Sequence, residues 1–190
     1  MGLLKQIQQT NQGQDVEHKL YKSARLTIRR NSWKPLDLQD LIRNETMSKE
    51  MALFLCTCVN ARLNILVSGG TGAGKTTLVN ALSTFIPKEE RRIIGDIRDK
   101  DGRDILLRDN KAFDGFLAAG HSSSPSNMID RLELIAYLNG MNMPIKAIRE
   151  QIAGTIDIIV HLSRLNDGSR KITKITEVRG LEGENIVLRD

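Results

Sequence analysis

The sequence predicts an α/β fold around a largely parallel sheet, with an antiparallel extension at the C-terminus. Strand-like apolar runs alternate with segments whose apolar residues recur every three or four positions, as in amphipathic helices. A glycine-rich turn at residues 69–74 joins one such strand to one such helix. Beyond residue 156 the chain consists of strand-like runs separated by turn residues, a pattern typical of a β-meander.

Length and composition favour one globular domain. The chain has 190 residues, of which 40% are hydrophobic and 27% charged, so one core of ordinary size can form. We expect an N-terminal segment and linker over residues 1–35 and a single domain over residues 36–190. The sequence shows neither an apolar run of membrane-spanning length nor a signal-peptide core, which predicts a cytoplasmic protein. Cys56 and Cys58 lie one residue apart and suit core packing rather than zinc or a disulfide.

The first third of the chain predicts a lead-in, a strand and two helices. Residues 1–20 are polar without a sustained period, so we expect a mobile or weakly helical lead-in. Residues 25–29 alternate polar and apolar side chains like an edge strand. Helical patterns follow over residues 37–43 and 48–62. The apolar residues expected on the inward face of the second helix are Met51, Phe54, Leu55, Cys58 and Val59.

The middle of the chain predicts the order strand, glycine turn, helix, strand. Residues 64–68 are a short β-like run before the turn, and residues 75–85 form a helical pattern that Pro87 helps to end. Residues 91–98 contain a brief apolar strand that ends at an acid.

The last third begins with a capped helix. Ser124 is a predicted N-cap, and Pro125 occupies the first helical position. The expected apolar face of this helix comprises Met128, Leu132, Ile135 and Leu138. A second helix over residues 144–153 and strands over residues 156–162, 171–178 and 185–188 should follow.

A phosphate-binding loop is the strongest chemical signal in the sequence. Residues 69–76 have the pattern G-x-x-x-x-G-K-T between a strand-like run and a helix. Glycines in such a loop let backbone N–H groups point into a concavity that the helix N-terminus makes electropositive. The pattern predicts binding of a nucleoside triphosphate, in the first place ATP with Mg²⁺. The predicted nucleotide-binding residues are Gly69, Gly70, Thr71, Gly72, Ala73, Gly74, Lys75, Thr76 and Thr77.

The side chains around this loop have expected roles. Lys75 would reach the β- and γ-phosphates, the Thr76 hydroxyl would ligate Mg²⁺, and Thr77 would contact the α-phosphate. Asp96, at the end of a short strand, is placed like an acid that orients the attacking water or holds the water shell of the magnesium ion. The alternative for Asp96 is a solvated loop acid or a salt bridge to Arg98.

Other conspicuous residues carry weaker signals. His121 follows an apolar run and is a candidate for a position near the γ-phosphate, although an isolated histidine is more often a surface residue. His18 and His161 are interpreted as surface and sheet residues, and Trp33 as packing for the linker. The basic cluster of Arg25, Arg29, Arg30 and Lys34 is interpreted as a solvated face, because no interleaved aromatics support base stacking.

Several stretches together resemble the type II/IV secretion ATPase family, and most closely its tight-adherence (Flp) pilus-assembly branch. These stretches are residues 26–30, 61–78, 147–153, 159–165, 167–170 and 175–178. The resemblance implies a hexameric cytoplasmic ATPase with a RecA-like P-loop NTPase core. It also implies that ATP hydrolysis drives pilin assembly or protein secretion at a platform of inner-membrane proteins.

The sequence departs from the family pattern in four places. Asp96 stands where the Walker B stretch of the family usually has Glu, and residues 121–125 resemble its histidine box only in part. Between Pro87 and Arg91 the family normally has several dozen further residues, including an acidic Asp box and arginines that reach a neighbouring subunit. The N-terminal segment before Leu26 is also shorter than in the family.

Three functions are therefore compared. The first is a secretion or pilus-assembly ATPase in which Lys75, Asp96 and His121 act in catalysis and Thr76 and Asp96 serve the metal. The second is a nucleotide-binding subunit with little or no hydrolysis. The third is a P-loop protein that acts on nucleic acid, suggested by the net charge of +5 but not the favoured partner class.

Overall fold

The computed structural model describes residues 16–20, 24–28, 35–90, 93–97, 115–141 and 143–190, and the chain divides into the units Met1–Pro35 and Leu36–Asp190. In the first unit, β1 (Val16–Leu20) pairs antiparallel with β2 (Ala24–Ile28). The expected lead-in is thus wrong for residues 16–20, because their backbone groups pair with a neighbouring strand. Trp33 and the basic residues Arg29, Arg30 and Lys34 lie outside the described residues.

A six-stranded sheet organises the second unit. Its strands are β3 (Ile65–Gly69), β4 (Ile93–Asp96), β5 (Phe116–His121), β6 (Ile158–Arg164), β7 (Arg170–Glu182) and β8 (Asn185–Arg189). Their spatial order is β4-β5-β3-β6-β7-β8. The first four are mutually parallel, whereas β7 and β8 continue the sheet antiparallel. The predicted fold class is confirmed.

Three of the five described helices start where the sequence provides a side-chain cap. They are α1 (Leu38–Arg43), α2 (Lys49–Asn60), α3 (Lys75–Ser83), α4 (Pro125–Leu138) and α5 (Ile145–Thr155). Asp37, Ser48 and Ser124 each accept a hydrogen bond from a backbone N–H of the first helical turn. Pro125 is the first residue of α4, as predicted. None of the described helices is both long and apolar enough to cross a membrane.

Helices cover both faces of the sheet, which explains why the central strand is apolar throughout. In β3, Ile65 and Val67 belong to the cluster shared with α1, α2 and α3, whereas Leu66 belongs to the cluster shared with α4 and α5. A parallel strand buried on both faces reads as a continuous hydrophobic run rather than an alternating one. This arrangement fixes the carboxyl end of β3 rigidly between two layers.

Two residues assigned to inward helix faces are exposed. Phe54 is 47% exposed because it lies about 100° round α2 from fully buried Leu55. Leu138 is 70% exposed because α4 ends there, beyond its last contact with the core. The other predicted core positions of these helices are buried or pack against the core, and Cys58 is buried with Cys56 against the same cluster.

Candidate nucleotide-binding site

The predicted phosphate loop lies between the central strand and a helix. Gly69 ends β3 and Lys75 begins α3, so the loop sits at the carboxyl edge of the parallel strands. Gly74 is the N-cap of α3 and has a φ of +96°, a backbone conformation that residues other than glycine rarely adopt. The loop and the first helical turn therefore direct backbone N–H groups and the positive end of the helix dipole to one place.

Close approach of β6 requires glycine at the first loop position. A Cβ atom on Gly69 would stand 2.4 Å from the backbone oxygen of Leu162. A Cβ atom does not approach a non-bonded oxygen this closely in proteins, so any side chain here would push β3 and β6 apart. Gly69 thus serves the packing of the loop against the neighbouring strand as well as its approach to a ligand.

Lys75 folds back over the loop. Its ammonium donates hydrogen bonds to the backbone oxygens of Gly69, at 2.9 Å, and Gly70, at 2.8 Å. A cation is thereby held beside the N–H groups that would surround a phosphate. Thr76 and Thr71 are exposed and Thr77 is half-buried, so the hydroxyl groups of the first turn are at or near the surface of the site.

His121 lies beside the start of the loop. It pairs in register with Gly69 across β5 and β3, which places the two backbones one strand spacing apart, about 4.8 Å. The Ser122 N–H donates to the Gly69 oxygen at 3.3 Å, and the His121 side chain is exposed. The structure therefore brings His121 to the same edge of the sheet as the phosphate loop.

Asp96 ends β4, two strands away from β3. It pairs with Ala119, which in turn pairs with Val67, so its backbone is level with a residue two positions before Gly69. The lateral separation is two strand spacings, about 9.6 Å. Asp96 shares the carboxyl edge of the sheet but stands further from the loop than His121 does.

The residues near the loop fit a magnesium ion that is held mainly by a bound nucleotide. Among the described residues, no three His, Cys, Asp or Glu side chains come together as a metal site of their own. Mg²⁺ in phosphate-binding enzymes is commonly held by one or two side chains, phosphate oxygens and water. Thr76 could supply a direct ligand and Asp96 a contact through water.

Two further groups of residues belong to this region and were not assigned to it from the sequence. Ser68 Oγ and His161 Nδ1 form a buried hydrogen bond of 2.8 Å directly below the loop, and His161 lies within a strand of the sheet, as predicted. Arg170 Nε donates to the Gly72 oxygen at 2.8 Å. For Arg170 the sequence signal was the Asn166-Asp167-Gly168 turn, which predicts a hairpin but not that the hairpin lies beside the loop.

Part of the chain is similar to a known protein family. Residues 19–94, which include the phosphate loop but neither Asp96 nor His121, match the family described as Type II/IV secretion system protein. The conjugal transfer protein TrbB of Rhizobium radiobacter is 24% identical over 199 residues, which cover 81% of this chain and 60% of TrbB. The type IV secretion system protein VirB11 of Bartonella henselae is 27% identical over 186 residues, which cover 72% of this chain and 52% of that protein.

A solved structure has the same fold. The VirB11 ATPase of the Brucella suis type IV secretion system, in complex with sulphate, matches with a TM-score of 0.62 and 21% identity, over 80% of this chain and 66% of that one. The chain spans 60% and 52% of the lengths of TrbB and VirB11, the two curated relatives described above. None of these matches is specific to the tight-adherence branch, which stays a prediction. The chain is thus similar to type II/IV secretion system proteins over residues 19–94 and shares its fold with a VirB11 ATPase.

Proposed function

We propose that the chain binds ATP with Mg²⁺ at residues 69–77 and hydrolyses it as a motor subunit of a type II/IV secretion system. The observation that carries this proposal is the loop itself. Its glycines permit the close contact with β6, its helix begins at Lys75, and the Lys75 ammonium lies against the loop backbone. This arrangement is suited to the phosphate chain of a nucleotide.

Each candidate residue has a defined task in this proposal. The N–H groups of the loop hold the phosphates, and Lys75 neutralises charge on the β- and γ-phosphates. Thr76 and Asp96 would hold the magnesium ion, which would neutralise negative charge on the phosphates. Asp96 also orients the attacking water, and His121, one strand spacing from Gly69, senses the γ-phosphate.

The work driven by hydrolysis is secretion or assembly at a membrane platform. The relatives named above are a conjugal transfer protein and type IV secretion proteins, which favours export of a macromolecule over pilin assembly. We propose homo-oligomerisation, with a hexamer as the expected form, and partners among the inner-membrane proteins of such a system.

The position of Asp96 favours a second candidate, a subunit that binds nucleotide with little turnover. The Asp96 backbone is level with Val67 rather than with Gly69, and its side chain is one methylene shorter than Glu. A carboxylate must come within hydrogen-bond distance of the attacking water to orient it. Weak turnover would follow if no movement of β4 closes that gap.

Steady-state ATP hydrolysis and equilibrium ATP titration, both with Mg²⁺, distinguish the two candidates. Lys75→Ala should abolish turnover and weaken binding, whereas Lys88→Ala removes an equal charge from an exposed turn and should change neither. Turnover that depends on Lys75 supports the motor. Magnesium-dependent binding without turnover supports the second candidate, and absence of ATP binding overturns both.

A role on nucleic acid is tested separately. Binding of double-stranded DNA driven by the net charge of +5 should weaken steeply as salt is added. If the protein does not bind DNA even at low salt concentration, this third function is excluded.

A further inference from the structure

We propose that Arg164 and Arg170 form a basic pair that binds the phosphate chain of the nucleotide held by the same chain's phosphate loop. The inference rests on the nucleotide binding proposed above and assigns it two further residues. Both lie at the turn between β6 and β7, far in sequence from the loop.

Arg170 contacts the loop directly. Its Nε donates to the Gly72 oxygen at 2.8 Å, and its Cδ lies 3.2 Å from where a Cβ on Gly74 would stand. Arg170 therefore lies against the loop and holds the Gly72 peptide. The N–H of the same peptide, on Ala73, donates to the Gly70 oxygen at 3.3 Å, so Arg170 helps to fix the conformation of the loop.

Arg164 stands opposite Arg170. The two residues are direct cross-strand partners in the antiparallel β6–β7 pair, so their side chains leave the same face of the hairpin. Arg164 Nη1 lies 3.9 Å from where a Cβ on Gly72 would stand. Both guanidinium groups are consequently beside the loop.

The pairing is unfavourable without an anion. Like charges directly opposite each other destabilise a strand pair. In the described part of the chain, the Arg164 side chain forms no hydrogen bond or ion pair, and the Arg170 side chain donates only through Nε. The nearby Asp167 carboxylate instead accepts hydrogen bonds from the Ser169 N–H and hydroxyl within the turn, at 2.8 and 2.7 Å.

The turn itself is firmly built. Leu165 N–H donates to the Ser169 oxygen at 2.8 Å, and Gly168 N–H donates to the Leu165 oxygen at 2.9 Å. The hydrogen bonds from Ser169 lower the pKa of the Asp167 carboxyl, which keeps it ionised inside the turn. A hairpin fixed in this way presents two cations at a constant distance from the loop, and the anion that reaches this place is the phosphate chain.

Binding of ATP and of tripolyphosphate tests the pair, because tripolyphosphate has the phosphate chain but no base. Arg164→Gln and Arg170→Gln should each weaken both ligands about ten-fold, the value of one charge-assisted hydrogen bond. Arg189→Gln, which removes an exposed arginine from β8, should change neither. Arg170→Lys should recover part of the loss, because it keeps the charge without the guanidinium fork.

Thermal unfolding separates ligand binding from a purely structural role. Without nucleotide, Arg164→Gln should unfold at the same temperature as the wild type or slightly higher, since a repulsion is removed. With saturating ATP it should gain less stability than the wild type. Equal gains, or unchanged affinity for tripolyphosphate, overturn the proposal. If the wild type binds ATP and Lys75→Ala does not, that failure leaves the proposed function intact.

Discussion

Ser68 Oγ and His161 Nδ1 lie 2.8 Å apart in a buried hydrogen bond that joins β3 to β6 one residue below the phosphate loop. The tautomer of the imidazole decides which of the two atoms donates. Burial lowers the pKa of His161, and the positive charges of Lys174 and Lys75 lower it further. His161 is therefore neutral in the folded protein at neutral pH.

Stability should consequently fall as the solution becomes acidic. The unfolded chain has an ordinary histidine pKa of about 6.5 and takes up a proton before the folded protein does. The free energy of unfolding should thus decrease as pH falls through that value and continue to decrease towards the lower folded pKa. Urea unfolding at about pH 7.5 and about pH 5.5 measures the change. The decrease should be smaller in His161→Gln, and an equal decrease in both proteins would show that other groups cause it.

The Ser68 hydroxyl should contribute to stability through the same bond. Ser68→Ala leaves the buried Nδ1 of His161 without this partner, and we expect a loss of about 1–3 kcal/mol. Ser163→Ala is a suitable control, since Ser163 is on the same β6 strand and its hydroxyl contacts only Thr173, at 3.2 Å, near the surface. Equal losses in the two variants in urea unfolding would contradict the importance of the buried bond.

Replacement by alanine should destabilise the fold at Gly69 but not at Gly70. A Cβ at Gly69 would meet the Leu162 oxygen at 2.4 Å, whereas nothing lies within 4 Å of a Cβ at Gly70. Gly69→Ala should therefore destabilise the fold by about 1–3 kcal/mol or more, and Gly70→Ala should leave it nearly unchanged. The midpoint of urea denaturation is the readout. Similar midpoints for both variants would mean that the β3–β6 contact relaxes freely.

Substitutions at Asp96 test whether the length of its acidic side chain limits ATP turnover. Asp96→Glu lengthens the side chain by one methylene and should raise the turnover number, while Asp96→Asn should lower it about ten-fold or more, as expected for loss of a group that positions water. The KM for ATP should change less than the turnover number in both. Turnover of Asp96→Asn equal to the wild type would remove Asp96 from the catalytic residues.

The N-cap of α4 should make a measurable contribution to the free energy of unfolding. Ser124 Oγ accepts a hydrogen bond from Asn127 N–H at 3.0 Å, and Ser124→Ala should cost about 1 kcal/mol. Ser126→Ala, two positions later and exposed, keeps the cap and should be neutral or slightly stabilising. Thermal unfolding of the two variants compares them directly. A loss in Ser126→Ala as large as that in Ser124→Ala would indicate general sensitivity of this turn.

Local signals made much of the fold predictable from the sequence. The cap at Ser124, the glycine pattern of the loop and the turn at 166–168 each identify an element from a few neighbouring residues. The order of the strands in the sheet cannot be predicted from such local signals, because it depends on which apolar surfaces pack together. For that reason Lys75 and the loop were recognisable, while the position of Arg170 against Gly72 was not.

The error at residues 16–20 has a similar cause. A polar strand such as β1 is stabilised by pairing with β2 rather than by its own apolar pattern. Most predicted positions on the helix faces are buried, but Phe54 in the middle of α2 and Leu138 at the end of α4 are exposed. Periodicity describes a continuous helix and does not report where the surrounding core stops.

The strand order gives the two halves of the candidate site unequal protection from local opening. β3 carries the loop and is bonded on both sides, to β5 and β6. β4 carries Asp96, has four residues and, among the described strands, pairs only with β5. Amide hydrogens should exchange with solvent sooner in β4 than in β3, since an edge strand can detach without breaking the rest of the sheet. Conditions that destabilise β4 should therefore abolish ATP turnover before they abolish phosphate binding at the loop.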